Sequence, residues 1–164
     1  MITSTSSSQV KHVVNLQKKA KLRKEEKQFV VEGVKMVSEA PADRLVKVYV
    51  SETFKADNEE FLERMNYDSI GKDVLEIVTD NVFMRMADTQ TPQGIMAVVR
   101  MSDTDLEGIL SDKRNPLLLI IENLQDPGNL GTIVRMAEGA GVTGIIMSSN
   151  TVDIYNPKTI RSTM

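Results

Sequence analysis

Between Leu117 and Gly141 an unbroken apolar run gives way to a turn and then to an amphipathic stretch, and few architectures accommodate that order. Leu117, Leu118, Leu119, Ile120 and Ile121 have the composition of a strand buried on both faces, as in a parallel sheet. The chain then meets Asp126-Pro127-Gly128, where proline presets a turn dihedral and glycine accepts a positive φ. Asn129 is placed to cap a helix. From there Leu130, Ile133, Val134, Ala137 and Gly141 fall on one stripe, so a helix packs back on the strand. Strand end, tight loop and helix start bring backbone N–H groups together, an arrangement that suits an anion.

Downstream, Gly144-Ile145-Ile146-Met147 reads as a second strand, parallel to the first if the crossover is right-handed. Pro157 opens a helix of one or two turns before Met164. A parallel sheet needs both faces covered and more than two strands. The chain is therefore read as a fragment of a longer protein, in preference to one covered by another chain.

Upstream, Ser8 is the expected cap of a helix over Gln9 to Ala20. From Lys11 to Lys27 the chain carries Lys11, Lys18, Lys19, Lys21, Arg23, Lys24 and Lys27 against only Glu25 and Glu26. Such a run either neutralises nucleic-acid phosphates or forms a solvated face, and its composition does not choose. Strands are expected over Gln28–Glu32, Leu45–Val50, Leu75–Val78 and Gly94–Arg100, with helices over Gly33–Ala40, Glu59–Met65 and Asn81–Met86. That alternation predicts a compact α/β domain over residues 1–100. Met101 to Pro116, rich in Asp, Ser, Asn and Gly with one helical stretch at Leu106–Leu110, reads as a linker, and residues 117–164 as a second unit.

Cysteine is absent and His12 is the single histidine, which excludes disulfides, thiolate chemistry and a multi-histidine metal centre. No apolar run reaches membrane-spanning length, so a cytoplasmic protein without metal is expected. The net charge of −3 argues against a uniformly polycationic surface. Met84, Met86 and Met96 are read as core filler.

Glu122-Asn123-Leu124-Gln125-Asp126-Pro127-Gly128-Asn129-Leu130-Gly131, followed by Arg135, Ala137 and Gly141, resembles the first motif of the SpoU (TrmH-like) RNA 2′-O-ribose methyltransferases. Tyr155-Asn156-Pro157-Lys158 and Arg161-Ser162 match the stretch that follows in that family. The amino-terminal part is similar to the family's L30e-type substrate-binding domain through its basic start, Phe29-Val30-Val31-Glu32-Gly33 and Thr91-Pro92-Gln93-Gly94-Ile95. The resemblance implies a SPOUT architecture, a parallel α/β sheet whose later segment threads a trefoil knot, working as a homodimer with S-adenosylmethionine as cofactor. The later motifs, which supply most of the cofactor pocket, are not in these residues. The knot and cofactor binding are accordingly not expected of this chain alone, and no cofactor-binding residue is assigned. Met136 departs from the small or polar residue often found after the arginine, and is taken as a packing difference.

Ribose methylation requires a weakly acidic hydroxyl to lose its proton while attacking a methyl group, so the site must orient the nucleophile and stabilise negative charge. Arg135 lies on the side of Gly131, away from the apolar stripe, and so points out of the core. The resemblance implies a catalytic role for Arg135 on rRNA or tRNA; the plain alternative is a solvated helix arginine. Asn129 binds ribose or phosphate, caps the helix, or does both. Gly131 allows close approach of backbone or ligand, or simply helix–sheet packing. Glu122 orients Arg135 or the loop, a bond to loop amides being the favoured role. Lys158 and Arg161 contact RNA or merely face solvent. The rival to the enzyme reading is a non-catalytic RNA-binding module; a generic nucleotide-binding domain is weaker, because the glycine spacing fits neither phosphate-loop fingerprint.

Overall fold

The computed structural model describes residues 1–65, 74–111 and 115–164. The chain divides into two compact units, Met1–Met101 and Ser102–Met164. Part of the stretch read as a linker, residues 112–114, lies outside the described residues.

The first unit is built on a four-stranded sheet in the order β1-β4-β2-β3, with β1 Gln28–Glu32, β2 Leu45–Ser51, β3 Leu75–Val78 and β4 Ile95–Arg100. β4 runs antiparallel to both neighbours, and β3 is parallel to β2. Ile95 to Val99 are buried without interruption, because this central strand is covered on both faces. On one face the helices α1 Ser8–Lys18 and α6 Asp80–Met86 insert Val10, Val13, Leu16, Val82, Phe83 and Met86 against Val30, Tyr49, Met96 and Val98. α3 Val34–Glu39 and α5 Glu59–Met65 fall within the stretches where helices were expected.

Two helices escaped the sequence reading. The helix expected over Gln9–Ala20 stops at Lys18; Lys19 is extended, and α2 runs from Ala20 to Glu26. Ser8 does not cap α1, since Ser7 takes that position and makes no side-chain cap bond. α4 Glu52–Asp57 follows β2 directly, with Ser51 Oγ accepting from Phe54 N at 3.1 Å. The serine was a legible start signal, hidden by its place at the end of a strand. Among the methionines, Met86 and Met96 are fully buried, whereas Met84 is 56% exposed.

In the second unit, α7 Leu106–Leu110 precedes β5 Leu118–Ile121, α8 Pro127–Gly139, β6 Gly144–Met147 and α9 Pro157–Ser162. β5 and β6 are parallel, with Ile120 opposite Ile146. The strand expected to be buried on both faces is not: Leu117 is 51% and Ile120 72% exposed, while Ile121 is 7%. Alternate side chains point to opposite faces. α7 sends Ile109 over Gly144 and Leu118, and among the described residues nothing covers Ile120 and Ile146 farther along that face.

Candidate functional site

The proposed chemistry was read from the start of α8, and the local structure there is set by Asp126. Its Oδ1 accepts from Asn129 N at 2.7 Å, making Asp126 the helix cap and Pro127 the first helical residue. Asn129 is therefore not the cap, which corrects that expectation. The carboxylate immediately before a first-turn proline satisfies the orphan N–H before Asn129 can. Asn129 is exposed, and its carboxamide has no bond among the described residues. The loop before it is knitted to the loop after β6: Asn123 N donates to Ser148 Oγ at 2.9 Å, Val152 N to Leu124 O at 2.8 Å, and Gln125 Nε2 to Asn150 O. Asn123 holds a φ of 53° within this loop.

Sequence spacing did not reveal that α9 packs along α8. A Cβ on Gly131 would lie 2.4 Å from Thr159 O and 2.5 Å from Ser162 Cβ. Gly131 thus admits a neighbouring helix, neither a ligand nor the sheet. One turn earlier, Lys158 Cε lies 4.0 Å from where a Cβ of Gly128 would stand. One turn later, the exposed Arg135 donates from Nη1 to Met164 O. Positions 128, 131 and 135 share one side of a helix, so Lys158 and Arg135 lie along one seam about two turns, roughly 10 Å, apart. Glu122 is exposed and, among the described residues, bonds neither Arg135 nor the loop amides; the amide of Asn123 already has Ser148. Arg161, on the same short helix, is partly exposed.

In the first unit the basic stretch folds as the α1–α2 hairpin. Arg23 departs from the reading as an RNA contact: it is 2% exposed, and its Nη1 donates to Leu16 O at 2.6 Å and Gln17 O at 2.9 Å. It satisfies carbonyls at the end of α1 and so fixes the bend. His12 Nε2 and Glu26 Oε2, 2.6 Å apart, join the same two helices. Lys11, Lys18, Lys19, Lys21 and Lys24 are exposed, Lys21 standing 3.7 Å from Glu25. The turn from β1 into α3 is clamped as well. Glu32 accepts from Asp88 N at 2.9 Å and from Thr89 Oγ1, while Gln93 Oε1 accepts from Val34 N at 2.8 Å. Gly33, at φ 100°, leaves the room that Gln93 occupies.

No group of metal-ligating side chains occurs among the described residues, and no helix there is long and apolar enough to cross a membrane. In the second unit, Asp103, Thr104, Asp105 and Gly108 line a cleft of about 470 Å³. Its described lining is two carboxylates, a threonine and a glycine, and no cofactor residue is assigned here.

Comparison with known proteins gives a consistent picture. Residues 7–97 match the family described as MRM3-like substrate binding domain, and residues 116–164 match the SpoU rRNA Methylase family. The chain is 32% identical over 161 residues to human mitochondrial rRNA methyltransferase 3, covering 93% of this chain and 36% of that protein. It is 36% identical over 86 residues to the Bacillus subtilis 23S rRNA (guanosine(2553)-2′-O)-methyltransferase RlmP, 52% of this chain and 32% of that one. A crystal structure of an AdoMet-bound rRNA methyltransferase from Sinorhizobium meliloti superposes with a TM-score of 0.82 at 26% identity, over 99% of this chain and 59% of that one. The chain thus spans about a third of these two curated relatives.

Proposed function

Because this chain belongs to the MRM3-like substrate-binding family and continues into a SpoU rRNA methylase domain, we propose that its whole protein methylates a ribose 2′-hydroxyl of rRNA or tRNA. In this reading residues 1–100 hold RNA, residues 101–116 link, and residues 117–164 supply the first catalytic motif. The observation that carries it is the α8–α9 seam, which presents Arg135 and Lys158 along one line.

A guanidinium has five donors and no acceptor, so Arg135 is assigned to binding and orientation. One donor bonds Met164 O; the others remain for a phosphate or for the oxygen on which negative charge develops. Lys158 adds a second positive charge two turns away, suited to a neighbouring phosphate. Asn129 can donate to and accept from a ribose hydroxyl, fixing its orientation. S-adenosylmethionine would supply the methyl group from residues other than these. The exposed lysines Lys11, Lys18, Lys19, Lys21 and Lys24 neutralise phosphates, with Arg23 holding their scaffold. Homodimer formation, which rests on the resemblance, and a cytoplasmic setting complete the proposal.

The test is Arg135→Ala in the whole protein. Methyl transfer should fall by about 10²–10³-fold, the cost of removing one preorganised donor, with the thermal unfolding midpoint little changed because the side chain is exposed. Near-normal transfer by this variant would overturn the assignment.

A further inference from the structure

The first unit holds a cleft of about 310 Å³ between the end of β2, the starts of α4 and α6, and the turn before β4. Nothing in the roles given to Arg135 or to the basic hairpin uses it. Its walls are mixed. The exposed Met84 and the half-buried Pro92 offer apolar surface, and the buried Phe54 and Phe83 close the floor. Among the described residues no Lys or Arg lines it, whereas Asp57 and Asp80 do, and these carboxylates repel a phosphate.

The remaining polar groups are committed in a definite way. Gln93 Oε1 is spent on Val34 N, leaving its Nε2 as a donor. Asn58 Nδ2 gives one N–H to Phe54 O at 3.0 Å, leaving its second N–H as a donor and Oδ1 as an acceptor. Asp57 has no bond among the described residues and accepts only. Asp80 already receives Thr53 Oγ1 at 2.7 Å and Thr53 N at 3.2 Å; bonds from Thr53, then from Ser51, hold its carboxyl below the usual range and keep it an anion. Among the described residues the cleft therefore offers amide donors on Gln93 and Asn58 together with carboxylate and carbonyl acceptors and the apolar surface of Met84 and Pro92.

We propose that this cleft receives one unpaired guanine base. The pairing edge of guanine presents a carbonyl oxygen next to an N–H and an amino group, matched in kind by the donor Gln93 Nε2 and the acceptors Asp57 and Asn58 Oδ1 that line the same cleft. Its ring faces suit Met84 and Pro92. Uracil lacks the amino donor, and the edge of adenine lacks the carbonyl. The inference rests on the reading of this unit as an RNA-binding domain, and gives that domain a base-reading pocket separate from its phosphate contacts.

Two titrations of the whole 164-residue chain test it. In the first, the Met84 methyl signal is followed by NMR as guanosine, inosine or uridine is added; none carries a phosphate. Guanosine should shift it saturably, with inosine, which lacks only the amino group, and uridine at least about tenfold weaker, the scale of one paired base contact. Asp57→Asn, an exposed change, should remove that preference. Equal shifts with all three nucleosides, no shift with guanosine, or an undiminished preference in Asp57→Asn would each overturn the cleft assignment. In the second, labelled RNA hairpins with one guanosine or one inosine in a uridine loop are titrated at several salt concentrations. Affinity should fall as salt rises for both, with the guanosine loop tighter throughout. Salt-dependent binding without guanosine preference would overturn the cleft and spare the RNA reading; a guanosine-specific Met84 shift without hairpin binding would uphold the cleft and defeat that reading.

Discussion

Arg23 and Asp126 show how much a single side chain's partners alter its role. Arg23 stands in a run of lysines and by composition belongs with them, but its guanidinium is buried against two carbonyls of α1. Spacing marks the charge without saying which member of the run turns inward. Asp126 takes the cap that Asn129 was expected to fill, because proline at the first helical position sets the helix start one turn earlier. Both signals were present in the residues; the competition between two capping side chains was decided only by the backbone. Tyr49 gives a prediction at this scale. Burial, then the nearby Glu76, pushes its phenol up to about 12, and its hydroxyl donates to Gln9 Oε1 at 3.1 Å. In the unfolded chain the phenol ionises near its ordinary value of 10.0. Between those two values the unfolded state binds fewer protons than the folded one, so stability falls as pH rises. The loss should approach about 3 kcal/mol across the window. Urea unfolding at pH 9, 10 and 11 should show the midpoint dropping, and Tyr49→Phe should flatten that drop.

At the scale of elements, the sheet of the first unit was legible because β-strand composition is local: every expected strand was found within a residue or so of its bounds. Less legible were the elements that depend on distant partners. The break at Lys19 reflects the α1–α2 hairpin, and α4 was masked by a serine that also ends β2. The apolar run at Leu117 predicts two covered faces, yet Ile120 is mostly exposed beside Ile146, since a strand's composition records its eventual cover and not which residues provide it. The α8–α9 contact was invisible because it depends on the absence of a side chain at Gly131. Gly131→Ala tests that contact. The added methyl meets a backbone oxygen and a Cβ on α9, an overpacking worth about 1–3 kcal/mol. Improved helix propensity returns at most about 1 kcal/mol. The net effect should be a lower urea midpoint; an unchanged or higher one would mean that α9 is free to move away.

For the whole molecule, two units carry two kinds of contact. The first unit joins a scaffolded row of lysines to a clamped turn at Glu32 and Gln93, and the second sets Arg135 and Lys158 on a helix seam. Polyanion binding and orientation of a ribose are separable tasks, and the proposal assigns them to groups in different units. Composition alone hinted at the first through the lysine run and was silent on the second, which required the motif and then the packing of α9. The central claim concerns where a methyl group is placed, so product analysis tests it most directly. The whole protein is incubated with rRNA and methyl-labelled S-adenosylmethionine, and the RNA is then hydrolysed in alkali. A 2′-O-methylated ribose cannot assist cleavage of its own phosphodiester, so the label should emerge in an alkali-resistant dinucleotide. Label recovered only in mononucleotides, as a methylated base would give, or no transfer to RNA at all, would contradict it.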